Sequence, residues 1–199
     1  LGWRAVSRRR LLIGLGIFAF LGISLLLTKA FVGANTERAK IVSRLFDEDV
    51  LTEDAVRISE IRVDGARYAL APDVRAFGLR ILRQGSSRAN PYSNESLALY
   101  VPQGPKLAKV LDGLELTLEQ GEWDTNCTGS FETVRGSLSV ARSATGGYAD
   151  LVLRQSRSES RSSPLGDECV SQAQRQTFKS RLLRYDGTRY RLAKGAPAD

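Results

Sequence analysis

The chain of 199 residues contains no histidine. That absence removes Ser-His-Asp and Cys-His nucleophilic centres, histidine-ligated zinc and histidine general-base chemistry together. Methionine is also missing, so Leu1 is not taken as the natural start. Cysteine is limited to Cys127 and Cys169. Acidic residues are absent from the first 34 positions, where Arg4, Arg8, Arg9, Arg10 and Lys29 carry all the charge. The formal net charge of +7 is therefore mostly a property of one end, since 24 basic residues face 22 acidic ones beyond residue 34. A basic balance ordinarily suggests nucleic acid. Its confinement to a terminal flank argues for no nucleic-acid partner here.

What the chain does have is one long apolar run. From Leu11 to Leu27 nothing is charged and only Ser24 is polar. A hydrocarbon core of about 30 Å takes about 20 residues of helix, and Lys29 can lengthen the span by snorkelling. Backbone groups inside lipid must bond internally, which predicts a transmembrane helix through residues 11–27 despite Gly14, Gly16 and Gly22. Arg8, Arg9 and Arg10 are the topogenic cluster: they place the N-terminus in the cytoplasm and residues from about 35 outside. A retained signal anchor is the expected outcome. The alternative is a cleaved signal peptide, with Val32-Gly33-Ala34 as the cleavage region. Ser7-Arg8-Arg9-Arg10-Leu11-Leu12 also resembles a twin-arginine export signal. Export turns Cys127 and Cys169 into an expected disulfide, with two buried free thiols as the alternative. Closing so long a loop stabilises by about 4 kcal/mol on the chain-entropy model.

Three segments follow from this reading: residues 1–34 as basic flank and membrane or signal segment, 35–55 as a helical connector, and 56–199 as one β-rich domain. The connector rests on Asn35 or Thr36 as a cap and on Ile41, Val42, Leu45 and Phe46 at helical spacing. Beyond Val56 the period drops to two, with a slip near Ser59-Glu60 that predicts a bulge. Asp64-Gly65, Gly146-Gly147 and Asp186-Gly187 each predict a hairpin turn. Gln84–Glu95 reads as a surface loop, Lys106–Leu111 as one helical turn, and Arg154–Pro164 as a mobile polar loop. The fold class is mainly β, antiparallel and built of hairpins, with α+β as the alternative. Arg62–Ala71 and Arg184–Ala193 match at seven of ten positions, as two hairpins with the same turn chemistry would.

Glu115, Glu119, Glu122 and Asp124 are the densest carboxylates, and a glycosidase needs two about 5–9 Å apart. Glu115 and Glu119 alternate with leucines, as an ordinary solvent face does. No catalytic, cofactor or metal residues are assigned. Tyr92 and Trp123 are candidate ligand or partner contacts through aromatic stacking, and Arg157 and Arg161 through anion or headgroup contact. Asn94-Glu-Ser96 and Asn126-Cys-Thr128 match glycosylation acceptors, which the bacterial character of the leader leaves unused.

Tyr185-Asp-Gly-Thr-Arg-Tyr190, Gly147-Tyr-Ala-Asp-Leu-Val152, Asn90–Tyr100 and Trp123-Asp-Thr-Asn-Cys127 together resemble uncharacterised exported β-rich proteins of Gram-negative bacteria. The resemblance implies an envelope location and transfers no activity. The expectation is a non-enzymatic, single-pass inner-membrane protein with a periplasmic binding domain. Its partners are the bilayer, through residues 11–27, and another envelope protein, and it needs no cofactor. A soluble periplasmic or inhibitor-like module is the second reading, and a carboxylate-based cell-wall hydrolase the third.

Overall fold

The computed structural model describes residues 9–15, 43–51 and 55–197, and contains no helix among them. Two strands precede the main sheet, β1 (Arg9–Leu15) and β2 (Ser43–Leu51). The sheet itself runs β3 (Val56–Ala71), β4 (Val74–Gly85), β5 (Tyr92–Gln103), β6 (Lys106–Trp123), β7 (Gly129–Thr145), β8 (Tyr148–Leu165), β9 (Glu168–Tyr185) and β10 (Tyr190–Pro197). These eight pair with their chain neighbours in one antiparallel meander. β1 pairs β2, and β2 touches β6 in parallel at Arg44 and Lys106. The expected β-rich domain of hairpins is what the chain forms.

Turn chemistry explains most of the hairpins. Gly146 and Gly147 join β7 to β8 at φ 61° and 90°, the left-handed pair whose twist matches the flanking strands. Asp186 and Gly187 open the β9–β10 turn, where Asp186 N–H bonds the Arg189 carbonyl. The bulge expected at Ser59-Glu60 is present as a register shift between Ile58 and Glu60.

Five expectations are corrected. Asp64-Gly65 makes no hairpin, because β3 continues through it and turns only after Ala71. Gly65 is not among the left-handed glycines. Instead, β3 bulges between Asp64 and Tyr68 opposite Gly78 and Ala76 of β4. The expected helical turn at Lys106–Leu111 is the start of β6. The expected mobile loop at Arg154–Pro164 is the second half of β8, paired with β7 on one side and β9 on the other. Ladders on both sides as far as Ser162, and β9 alone beyond it, satisfy its backbone, so order there does not require apolar side chains. The helical connector is replaced over Ser43–Leu51 by β2, whose Leu45 packs on the sheet. Of the predicted membrane helix, Leu11–Leu15 are extended in β1 and find their backbone partners in β2. Residues 16–27, Arg8 and Ala34 lie outside the described residues, and Arg9 and Arg10 open β1. No helix of the described residues is long and apolar enough to cross a membrane.

The sheet curls, so that β3 approaches β7 and β8 across an interior. Tyr68 and Leu70 of β3 meet there with Leu97 and Leu99 of β5, Leu116 of β6, Leu151 and Leu153 of β8, and Leu183 of β9. Each fully buried leucine stabilises by roughly 1.5–3 kcal/mol relative to exposure. A second cluster, Leu79, Ile81, Ala98, Tyr100 and Leu107, packs against Leu45, Ile61 and Phe77. Strands β6 to β9 are 17 or 18 residues long, about 60 Å when extended. On β8 and β9 the buried apolar residues, Leu151, Val152, Leu153, Leu183 and Tyr185, fall at the start of β8 and the end of β9. The outer halves of both strands are mostly polar and run out beyond the core.

Cys127, in the β6–β7 loop, and Cys169, at the tip of the β8–β9 hairpin, are joined as a disulfide with Cα atoms 5.5 Å apart. Such a staple belongs to an oxidising compartment outside the cytoplasm.

Candidate functional site

The polar half of strands β6 to β9 holds a groove of about 730 Å³. Strand register builds it. Tyr92 on β5 stands opposite Gln120 on β6, Gln120 opposite Glu132 on β7, and Glu132 opposite Glu159 on β8. Directly opposed residues share a face, so four side chains form one row across four strands. The next row along that face is Glu122, Ser130 and Arg161. Both rows line the groove, and Gln174 on β9 closes its far side.

Polar contacts hold the row in place. Gln120 Nε2 donates to Glu132 Oε2 at 3.1 Å. Arg157 Nε lies 2.7 Å from Glu132 and 3.8 Å from Glu159, so one guanidinium bridges two carboxylates on adjacent strands. Burial, and then the Glu115 carboxylate, push the Tyr92 hydroxyl above its usual range. Arg161 and Glu122 line the groove and make no ion pair among the described residues.

The alternate face carries Gly121 opposite Phe131 and Trp123 opposite Gly129. A Cβ on Gly121 would lie 2.5 Å from Phe131 Cδ1 and 2.7 Å from the Ser130 carbonyl. The glycine is therefore required where the ring crosses the strand. A second groove of about 460 Å³ adjoins the first at the sheet end, lined by Trp123, Asp124, Thr128 and Arg161 among others. Asp124 organises that end: its Oδ1 accepts the N–H groups of Asn126, Cys127 and Thr128 at 2.9–3.0 Å. Those bonds hold its carboxyl below the usual range, with Asn126 the largest contributor.

The structure thus gathers the predicted contact residues at one end of the sheet. Tyr92 and Arg161 line the main groove, Arg157 secures its wall, and Trp123 lines the adjoining one from the alternate face. The four dense carboxylates do not act as a set. Glu115 accepts from Asn94, Glu119 pairs with Arg135, Asp124 caps a turn, and Glu122 alone faces the main groove. Gln120, Glu132, Glu159 and Gln174 escape sequence reasoning, because only the register brings them together. No group of three or more metal-ligating side chains occurs among the described residues. Comparison with protein-family models, curated proteins and solved structures finds no match to this chain.

Proposed function

We propose that this chain is a non-enzymatic binding or accessory protein of the bacterial envelope, with its β domain in the periplasm and held at the inner membrane by the part of its N-terminal apolar run that follows β1, residues 16–27, which lie outside the described residues. The anchor rests on the apolar run and the Arg8-Arg9-Arg10 flank, and the periplasmic location on the same flank together with the disulfide. One observation carries the binding reading: Tyr92 and Arg161 share an open groove whose wall Arg157 secures and whose end Trp123 lines. An open, elongated surface that offers amides, carboxylates, a guanidinium and a phenol suits an extended partner segment.

The hydrolase reading has its own observation, since Glu132 and Glu159 are directly opposed in that groove. Arg157 lies against both carboxylates, and this favours a recognition surface over an acid and nucleophile pair.

The experiment is site-specific photo-crosslinking in intact cells, with a photoreactive residue at Tyr92, at Trp123 and at the remote exposed Arg142. A discrete adduct from positions 92 and 123 and none from 142 is expected. Identical adducts from all three, or none from any, sink the proposal. Loss of a cell-wall cleavage activity in E132Q would favour the hydrolase instead.

A further inference from the structure

β9 pairs with β8 from Glu168 to Leu183, but β10 covers it only from Arg181 to Tyr185. Glu168 to Ser180 is therefore an open edge, with no strand on its second side among the described residues. Thirteen residues without proline, ten of them exposed, form an unusually long edge for a stable protein to leave bare. Phe178 on this stretch is 75% exposed.

We infer that this edge pairs with the same edge of a second copy, antiparallel about a two-fold axis near Gln174. Register decides the match. β9 bulges at Gln174, because Glu159 and Ser160 of β8 are opposite Arg175 and Ala173. The bulge puts Glu168 and Lys179 on one face, since their β8 partners Leu165 and Gln155 are ten residues apart. A two-fold antiparallel pairing sets such same-face residues opposite each other. Glu168 then meets Lys179 of the second copy twice over, Val170 meets Thr177, Ser171 meets Gln176, and Gln172 meets Arg175. No like charges are opposed, and neither Glu168 nor Lys179 is engaged in an ion pair within its own chain among the described residues. About ten backbone hydrogen bonds would form along such a junction. Gln174, at the axis, is also a wall of the main groove, so the second copy extends that groove across the junction.

The test is sedimentation velocity on the full chain in a mild detergent, with the disulfide intact. A wild-type dimer is expected at micromolar concentration. K179E and E168K should each raise the dissociation constant about tenfold or more, because two cross-strand attractions become two repulsions. E168K/K179E together should restore the dimer. Hydrogen exchange at Glu168–Ser180 should slow as protein concentration rises, which separates this edge from association through any other surface. A monomeric wild type, a dimer indifferent to K179E, or a double variant that fails to re-associate overturns the inference. These outcomes leave the groove-binding proposal to its own crosslinking test.

Discussion

Asp64 shows how much one side chain can organise. Its Oδ1 accepts the Ala66 N–H at 2.9 Å, and its Oδ2 accepts the Tyr68 hydroxyl at 2.9 Å and Arg80 Nε at 2.8 Å. Arg80 continues to Glu95, which also receives Arg62, so two arginines and two carboxylates tie β3, β4 and β5 together. Burial raises the Asp64 carboxyl, but the bonds from Ala66, Arg80 and Tyr68 outweigh it and hold the group below its usual range. Burial, followed by the bond to Asp64, pushes the Tyr68 hydroxyl up to about 12. A depressed carboxyl contributes stability that is complete above its unfolded value near 4 and lost as pH falls through the folded one. Asp64→Asn should cost about 1–3 kcal/mol at neutral pH. It should also flatten the acid limb of stability, as read by urea unfolding at a series of pH values. Asp186 looks the same in sequence, and its Oδ1 likewise accepts an N–H two residues on, from Thr188. Yet one Asp-Gly sits in a bulge and the other in a turn. The difference lies in Tyr68 and Arg80, which engage Asp64 through the fold, and no local pattern announces that.

Among the elements, hairpins were legible where left-handed glycines must sit, as at Gly146-Gly147. β8 was illegible in its second half. The Arg-Gln-Ser-Arg-Ser-Glu-Ser-Arg stretch has no apolar residue, and what orders it is a ladder on each side. In β2 and at the start of β6 a few apolar spacings fit the helical period as well as that of a strand, so the sequence pattern alone does not separate the two. The candidate site was half legible. Tyr92 and Arg161 could be singled out as exposed chemistry, but the Gln120–Glu132–Glu159 row exists only through cross-strand register. At this scale Gly121→Ala is the sharp test, since its methyl would collide with the Phe131 ring and the Ser130 carbonyl. A loss of about 1–3 kcal/mol is expected, measured as a fall in Tm. Gly104→Ala has open space but a φ of 58°, so only the smaller cost of backbone strain, about 1 kcal/mol, should appear there.

For the molecule as a whole, the core and the disulfide sit at opposite ends of the long strands. Replacing Cys127 and Cys169 together by serine should lower stability by up to about 4 kcal/mol. Hydrogen exchange should quicken first in residues 155–180, before the leucine-rich end responds. Equal quickening throughout would show that the strands unfold as one unit.

The staple has a further consequence for survival among proteases. Most sheets are attacked by peeling from a loose end, where a few residues detach and a peptide bond becomes accessible. Here the polar strands are fastened by leucines at one end and by sulfur at the other. Detachment has to start in the middle, with both ends of the released stretch still held, so the oxidised chain should outlast its reduced form in a protease-rich compartment by far more than their difference in equilibrium stability implies.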